Sequence, residues 1–266
     1  MTTEIQCKSI LQKSRLPESP YCLNPYVGCT HRCRYCYARF MRRFTGHSEE
    51  EWGSFVDVKV NAPEVLARQL KRSQVTGPVL IGSVCDAYQP IENRYGITRA
   101  CMELLVEHNV SFSVLTKSSL VTRDIDVLAR GNEKVSVGIS LPIHDEGFRK
   151  VFEPGTSTVQ KRMDALKELH THGIKTYVFI GPVLPDITDV ESIVATVAPY
   201  ADEIWGEAIN LKCGNSSDLA EAYTSCGFSQ DWQHKVRSQE YWHAVETELT
   251  EACKKSKRKL VGFYKH

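Results

Sequence analysis

Several features are missing from the sequence, and each absence narrows what the chain can be. No stretch of 18 consecutive apolar residues occurs, so we expect no helix that crosses a membrane. The first ten residues, MTTEIQCKSI, lack a basic segment followed by an apolar run and therefore predict no secretory signal. No internal repeat or low-complexity tract is visible, which favours an ordinary globular fold.

An excess of charge is also missing. The 266 residues include 33 Lys and Arg against 32 Asp and Glu, which gives a formal net charge of +1. Proteins that neutralise nucleic-acid phosphates usually show a clear basic excess. A local basic patch remains compatible with this balance, so nucleic acid stays open as a partner without support from charge.

Cysteine, in contrast, is abundant, with ten residues. Because no secretory signal is predicted, we expect a cytoplasmic protein, in which thiols stay reduced. Ten cysteines then indicate buried thiols, metal ligands or reactive groups rather than disulfides. We interpret the isolated Cys7, Cys101 and Cys253 as ordinary core or surface thiols.

Short β-rich runs alternate with longer helical patterns along most of the chain. The predicted strands are LNPYVG (23–28), PVLIGS (78–83), VSFSVLT (110–116), KVSVGISL (134–141), IKTYVFIGPV (174–183) and ADEIWGEAIN (201–210). The predicted helices between them are 62–72, 98–108, 124–130, 157–173 and 189–200. This alternation predicts a parallel sheet with helical crossovers.

Six such units form an open version of the eight-unit α/β barrel, which places its chemistry at the carboxyl ends of the strands. We therefore predict an α/β fold with a partial (β/α)6 barrel at residues 23–212, preceded by an N-terminal segment at 1–22. Residues 213–266 are expected to form a short, mostly helical C-terminal extension that packs on the barrel. That extension ends in a β-like run, KLVGFY (259–264).

The strongest local signal is the motif CTHRCRYC, which contains Cys29, Cys33 and Cys36. A C-x3-C-x2-C spacing within one loop can turn three thiolates towards a single metal cluster, and iron–sulfur clusters are held by such thiolates. A cubane cluster with three protein ligands keeps one iron open for a chelating molecule. The spacing therefore indicates a 4Fe–4S cluster with an open iron.

A zinc site is the alternative interpretation of these cysteines. Structural zinc needs four ligands, commonly supplied as paired clusters. His31 lies inside the motif, but its spacing from the flanking cysteines strains a tetrahedral site. A distant cysteine, Cys213 or Cys226, would have to complete the set.

With Tyr35 before its last cysteine, the motif resembles the signature of the radical S-adenosylmethionine (SAM) superfamily. The wider run NPYVGCTHRCRYCYAR, residues 24–39, resembles the spore photoproduct lyase-like branch. The resemblance implies that the three motif cysteines hold the 4Fe–4S cluster, and that SAM binds the open iron through its amino and carboxylate groups. An electron donor such as flavodoxin or ferredoxin would reduce the cluster. SAM would then break at its S–C5′ bond, and the 5′-deoxyadenosyl radical would take a hydrogen atom from a substrate.

The same resemblance implies further cofactor-binding residues. Tyr35 would pack beside the cluster or the adenine. Lys117, after the third strand, and Ser140, on the fourth, match positions that hold the SAM carboxylate or ribose in the lyase branch. Ser83, Cys85 and Asp86 follow the second strand and complete the strand-end set on that side.

Two more polar residues are predicted near the cofactor. Arg162 begins the fourth helix, and its guanidinium suits a bidentate contact with a carboxylate. An exposed helix face is the interpretation that we favour for Arg162, because arginine is mostly exposed. Asn210 ends the sixth strand and can form hydrogen bonds with adenine or substrate.

The second strand departs from the lyase branch. Members of that branch carry Cys-x-Ser-Asp, whose cysteine returns a hydrogen atom to the product radical, whereas this chain has Ser83-Val84-Cys85-Asp86. The O–H bond of Ser83 is too strong for good hydrogen donation. Cys85 is therefore either a relocated hydrogen donor or a small barrel residue. We expect that the chain is not an efficient spore photoproduct lyase.

The competing class of function is a non-catalytic iron–sulfur or zinc module that binds nucleic acid or a protein partner. Lys117 and Ser140 favour the enzyme, because a metal-binding module has no need of them. The sequence leaves the substrate of such an enzyme unidentified.

We expect the anaerobically purified protein to be brown and to contain about four irons per chain, as a cubane requires. Replacing Cys29, Cys33 or Cys36 with Ala should remove both the colour and the iron, whereas Cys7→Ala should keep them. Iron quantification and visible absorption spectra test this expectation. Stoichiometric zinc without iron would contradict it.

Overall fold

The computed structural model describes residues 1–16 and 18–266 of the chain. Its strands are β1 (Thr2–Ile5), β2 (Leu11–Leu16), β3 (Ser19–Leu23), β4 (Tyr26–Val27), β5 (Val56–Lys59), β6 (Val79–Ile81), β7 (Phe112–Thr116), β8 (Val135–Ser140), β9 (Lys175–Val183), β10 (Glu203–Ala208) and β11 (Lys259–Tyr264). Its α-helices are α1 (Ala62–Arg72), α2 (Glu92–Tyr95), α3 (Ile97–Glu107), α4 (Ile125–Arg130), α5 (Glu146–Phe152), α6 (Val159–Thr171), α7 (Val190–Val197), α8 (Ser216–Ser225), α9 (Trp232–Arg237) and α10 (Gln239–Lys255). Short 3₁₀-helices span Tyr37–Phe44, Ser119–Asp124 and Asn132–Lys134.

Eight strands form one curled sheet in the order β11-β10-β9-β8-β7-β6-β3-β2. All neighbouring pairs from β3 to β11 are parallel, and β2 joins β3 antiparallel at the edge. Strands that follow one another as neighbours, joined by helical crossovers, are the arrangement of successive β/α units. The sheet is an open half-barrel, which confirms the predicted partial α/β barrel.

The first barrel strand was predicted wrongly. We expected it at residues 23–28, but β3 covers Ser19–Leu23 and pairs with β6. The segment Tyr26–Val27 instead forms β4, which pairs antiparallel with β5 in a separate sheet of order β1-β5-β4. Pro25 explains the interruption, because it has no N–H to donate to a strand ladder and restricts the residue before it.

The remaining predicted elements are confirmed. Strands β6 to β10 lie within the five other predicted runs, and β11 forms the β-like run near the end of the chain. Helices α1, α3, α4, α6 and α7 lie within the five predicted helical patterns or within one residue of them. Five of the six expected barrel strands are thus observed as β6–β10, and β3 takes the place of the first.

Alternation along the strands separates the hydrophobic core from the inner face of the half-barrel. Side chains on successive residues of a strand point to opposite faces. One set is aliphatic and fully buried, including Val114, Val137, Val178 and Ile204. The alternate positions on β7 and β8 line the inside and include Leu115 and the small residues Ser113, Ser136 and Ser140. The core therefore lies under the helices, and the inner face stays free to form a cavity.

The last 54 residues contribute both to the outside of the barrel and to its sheet. Helix α10 packs on α7, with an ion pair of 3.1 Å between Lys255 and Glu191. Strand β11 then pairs in parallel with β10, so it extends the barrel sheet at its edge. No helix within residues 1–16 and 18–266 is long and apolar enough to cross a bilayer.

Ile204 tests the importance of this junction for stability. It is fully buried on β10, opposite Val178 on one side and Leu260 on the other. We expect Ile204→Ala to lower the free energy of unfolding by about 2–5 kcal/mol, because it leaves a cavity in the core. Chemical denaturation followed by circular dichroism measures this, with the exposed Lys161→Ala as a control that changes stability by less than about 0.5 kcal/mol. Equal effects of the two substitutions would contradict the expectation.

Candidate active site

The three motif cysteines lie in a loop that follows β4. Gly28 precedes this loop with a φ of +83°, and a Cβ there would lie 2.4 Å from the carbonyl oxygen of Phe55. Only glycine accepts both conditions. A turn closed by the Cys36 N–H and the Cys33 carbonyl (3.1 Å) brings the end of the motif back on itself. Cys29, Cys33 and Cys36 all line the same cavity as a result.

Backbone contacts hold the cysteine loop against the connection between α5 and α6. The Gly155 N–H donates to the His31 carbonyl (3.0 Å), and the Arg34 N–H donates to the Phe152 carbonyl (2.9 Å). A Cβ on Gly155 would lie 2.4 Å from the Thr30 carbonyl oxygen and 2.8 Å from the His31 Cα. The two backbones can approach this closely because Gly155 has no side chain.

The fully buried Gln89 fixes both sides of Cys29. Its Nε2 donates to the Gly28 carbonyl (3.1 Å), and its Oε1 accepts from the Thr30 N–H (3.0 Å). An amide side chain suits this task because it offers a donor and an acceptor at once. Gln89 was not predicted, because nothing in its local sequence distinguishes it from an ordinary loop residue.

One cavity of about 250 Å³ lies at the carboxyl ends of the barrel strands. It brings together ten of the predicted site residues, namely Cys29, Cys33, Tyr35, Cys36, Ser83, Cys85, Asp86, Lys117, Ser140 and Asn210. They come from the cysteine loop, from the segments after β6, β7 and β10, and from β8 itself. Parallel strands end at one edge of a sheet, which explains why residues far apart in sequence meet here.

The donor set is compatible with a cluster. Within residues 1–16 and 18–266, no group of three or more His, Cys, Asp or Glu side chains is arranged to hold one ion. In a cubane each cysteine binds a different iron, so three thiolates that line one cavity fit such a cluster. The assignment of Cys29, Cys33 and Cys36 as its ligands stays a prediction.

Burial raises the pKa of all three thiols. The carboxylate of Asp86 raises the pKa of Cys29 further, whereas the Lys117 ammonium opposes the rise at Cys33 and Cys36. Thiolates at this place therefore need a compensating positive charge, which bound iron would supply.

Lys117 brings a positive charge to the cavity. Its Nζ lies 5.5 Å from the centre of the Tyr35 ring, a cation–π contact. No carboxylate of the described residues forms an ion pair with this ammonium. Lys117 can therefore bind an anionic group that enters the cavity.

Asp86 uses its carboxylate to position other parts of the site. Oδ1 accepts from Thr116 Oγ1 (2.6 Å) and the Tyr88 N–H (2.9 Å), and Oδ2 accepts from the Lys117 N–H (2.8 Å). Oδ2 also lies 3.2 Å from His31 Nδ1. Burial alone would raise the pKa of Asp86, but His31 and these hydrogen bonds lower it to about 2. Direct contact of Asp86 with SAM stays a prediction, and it would have to replace one of these bonds.

Arg162 lies in a different environment from the one that we favoured. Its side chain is fully buried, so the expectation of an exposed helix face was wrong. Its guanidinium pairs with the buried Glu153 (2.6 Å) and donates to the Ser140 carbonyl (2.9 Å). Glu153 also accepts a hydrogen bond from the Tyr35 hydroxyl. Arg162 does not line the cavity. Its charge is neutralised by Glu153, and it supports the cavity wall from behind through the Ser140 carbonyl.

Asn24 organises the segment that departs from the lyase branch. Its Nδ2 donates to Ser83 Oγ (2.9 Å), and its Oδ1 accepts from the Val84 N–H (2.9 Å). The Cys85 thiol lies 3.6 Å from the same oxygen. Burial raises the pKa of Cys85 to about 12, so it keeps its S–H proton at neutral pH. Sequence analysis missed Asn24, although it lies in the run that carried the family resemblance.

Residues 23–197 match the family model described as the Radical SAM superfamily. The chain belongs to the radical SAM superfamily. Membership makes the protein a radical SAM enzyme, and it implies a 4Fe–4S cluster and SAM as cofactors. This radical SAM match covers the cysteine loop and every predicted site residue except Asn210.

Two relatives extend the comparison. An uncharacterized protein of Methanocaldococcus jannaschii is 36% identical over 209 residues, which cover 79% of this chain and 78% of that protein. The radical SAM Nα-GlyT isomerase of Pseudomonas phage M6 is 28% identical over 170 residues, or 64% of this chain and 34% of the phage protein. The radical SAM region is thus shared with proteins of different total length.

Among solved structures, variants and complexes of spore photoproduct lyase share the fold. A single-substitution variant of that lyase has a TM-score of 0.74 at 17% identity, covering 99% of this chain and 81% of the lyase chain. The lyase complexed with dinucleoside spore photoproduct has a TM-score of 0.72 at 15% identity, with coverage of 99% and 81%. At this level of identity the likeness establishes a common radical SAM fold alone.

Gly155 tests how closely the cysteine loop must be held. We expect Gly155→Ala to displace the loop, because the new Cβ would overlap the backbone at Thr30 and His31. The variant should retain less than half of the wild-type iron after anaerobic reconstitution, at unchanged far-ultraviolet circular dichroism. Gly147→Ala in α5 is the matched control, since its Cβ would approach only the Asp145 side chain. Full iron content in Gly155→Ala would show that the contact is dispensable.

Proposed function

We propose that this protein holds a 4Fe–4S cluster on Cys29, Cys33 and Cys36, cleaves SAM reductively and abstracts hydrogen from a substrate inside the half-barrel. The observation that supports this most is the meeting of these cysteines with Lys117 and Ser140 in one cavity. Superfamily membership supports the type of chemistry. When bound and reduced, the cluster would supply the electron that splits SAM into methionine and a 5′-deoxyadenosyl radical. An external donor such as flavodoxin or ferredoxin would then reduce the cluster again.

The chain's own residues would bind and orient the SAM molecule. Lys117 has a fixed backbone, because its N–H donates to Asp86 and its carbonyl accepts from the Ser157 N–H (3.2 Å). Its ammonium is thus held at the cavity wall, where it would pair with the SAM carboxylate. Ser140, whose hydroxyl lies 3.3 Å from the Gly181 carbonyl, would contact the carboxylate or ribose.

Tyr35 and Asn210 would complete the cofactor site. The Tyr35 ring lines the cavity beside the Lys117 ammonium, and its hydroxyl is fixed by Glu153. This fixed ring would pack beside the cluster or the adenine. Asn210 lines the cavity from the end of β10, and its Oδ1 accepts from the Lys212 N–H (2.9 Å). Its amide Nδ2 donor would serve adenine or substrate.

A second cavity of about 560 Å³ would receive the substrate. It lies within the half-barrel and shares wall residues with the first cavity, including Tyr37, Ser83 and Phe179. The rings of Trp205 and Tyr264 line this second cavity and stack with their centres 5.8 Å apart. The two cavities therefore adjoin, and a substrate in the second would face the cofactor in the first.

Formation of 5′-deoxyadenosine tests the proposed function directly. The anaerobically reconstituted enzyme is incubated with SAM and dithionite, and 5′-deoxyadenosine is quantified by chromatography. The variant with Cys29, Cys33 and Cys36 all replaced by Ala is the control and should form none. A wild-type protein that holds the cluster but neither binds nor cleaves SAM would instead be a non-catalytic iron–sulfur module.

A second candidate function is a DNA-lesion lyase of the spore photoproduct type. The fold shared with the lyase and the Cys85 thiol in the cavity favour it. In that reaction the product radical would take the hydrogen atom of the Cys85 S–H, and the resulting thiyl radical would regain one from 5′-deoxyadenosine. We expect little turnover of a spore-photoproduct dinucleotide, because Ser83 occupies the donor position of the branch. Efficient conversion that Cys85→Ser abolishes would establish the lyase instead.

We expect Lys117→Ala to weaken SAM binding roughly ten- to a hundredfold, because a hydrogen bond to a charged group contributes about 1.5–3 kcal/mol. Iron content should stay at the wild-type level, since Lys117 is not a ligand. Anaerobic equilibrium dialysis with SAM measures the change, and Lys161→Ala on the exposed face of α6 is the matched control. Unchanged affinity would remove Lys117 from the cofactor site.

A further inference from the structure

Trp52 forms part of the wall of the cysteine cavity, although it lies 16 residues beyond Cys36 in the sequence. It is 4% exposed and packs in a small hydrophobic cluster with Cys29, Ala38 and Phe55, against which Cys36 also packs. Its indole Nε1–H is buried and has no hydrogen-bond acceptor among the residues that the structure describes. Buried donors without partners are rare because they lose their bonds to water, so this one requires an explanation.

Neighbouring aromatic rings hold Trp52 in place. The Trp52 ring meets Phe55 edge-on at 6.0 Å, and Phe55 stacks on the His47 imidazole at 3.8 Å. His47 in turn bridges two carboxylates, with Nδ1 2.5 Å from Glu50 and Nε2 2.8 Å from Asp57. Burial alone would lower the pKa of His47, but these two hydrogen bonds raise it overall. An imidazole in contact with two carboxylates makes a firm anchor for the ring stack.

We propose that Trp52 donates its indole N–H to the sulfur of Cys36 when the cluster is bound, and that this bond raises the reduction potential of the cluster. The inference rests on the proposed function, because it assumes that Cys36 is a cluster ligand. Reduction adds negative charge that is shared with the ligand sulfurs. A hydrogen bond to a sulfur therefore stabilises the reduced form more than the oxidised form.

The neighbourhood of Cys36 agrees with this role for Trp52. Cys36 packs against the hydrophobic cluster that contains Trp52, and both residues line the same cavity. Trp52 is a positioning and tuning residue in this scheme, since it touches a ligand rather than the reacting atoms.

Redox titration of the reconstituted enzyme, followed by electron paramagnetic resonance without substrate, tests the inference. Trp52→Phe keeps an aromatic ring in the wall but removes the N–H. We expect reduction to become about tenfold less favourable, which for a one-electron couple is a shift of about 59 mV to more negative potential. Trp232→Phe removes another buried indole N–H without an acceptor, in the C-terminal helices, and should leave the potential unchanged.

A second measurement covers the case in which Trp52→Phe loses its cluster or fails to fold. Wild-type enzyme labelled with ¹⁵N in tryptophan should show electron–nuclear coupling from one ¹⁵N to the reduced cluster. Absence of this coupling, or an unchanged potential in a cluster-loaded Trp52→Phe variant, would overturn the inference while the cysteine site stands. Failure of the wild-type protein to bind any iron would instead refute the proposed function itself.

Discussion

Close packing of two backbones shapes the whole site. The cysteine loop contains little regular structure, so its form depends on the surfaces against which it lies. The connection between α5 and α6 provides one surface through Gly155, and Gln89 provides another on each side of Cys29. Both supports come from segments that follow barrel strands. The barrel therefore defines the cysteine loop, and small displacements of these segments would separate the three sulfurs.

Buried charges position these supporting segments and the cavity wall. Glu153 and Arg162 neutralise one another behind the wall, and Tyr35 takes its orientation from Glu153. Asp86 joins the ends of two strands to His31 of the motif. Burying such pairs costs desolvation free energy, and here they hold the side chains of the cavity wall in one arrangement. The Lys117 ammonium differs from them because its charge is left for a ligand.

Sequence patterns were sufficient for the fold and for most of the wall of the cavity. Alternating β and α patterns reflect burial on both faces of a parallel sheet, and this signal is strong in a single sequence. The place of Lys117 and Ser140 followed from strand ends that converge in a barrel, whereas their roles came from the family resemblance. The first strand was misplaced because we expected Leu23, Tyr26 and Val27 on one strand, whereas the hydrogen-bond ladder is interrupted at Pro25 between them.

The residues that were missed act through tertiary contacts. Gln89, Asn24 and Trp52 lie 60, 5 and 23 positions from Cys29, and no periodicity connects them to it. Arg162 was expected on a surface because arginine is usually exposed, and only the partner Glu153 explains its burial. The spacing of cysteines identifies candidate ligands within one loop. The residues that support this loop depend on which segments meet after folding, and no local pattern reveals them.

The separate three-stranded sheet gives the cysteine loop an independence that the barrel strands lack. Strand β1 pairs with β5, and β4 pairs with the other side of β5, so the stretch that carries the motif is bounded by its own small sheet. Opening this sheet would break no ladder bond of the eight-stranded half-barrel. Tyr26, Val56 and Val58 of β4 and β5 nevertheless pack in the main core. A cluster at this loop would therefore be inserted or lost at the expense of side-chain packing, while the ladder of the barrel stays intact.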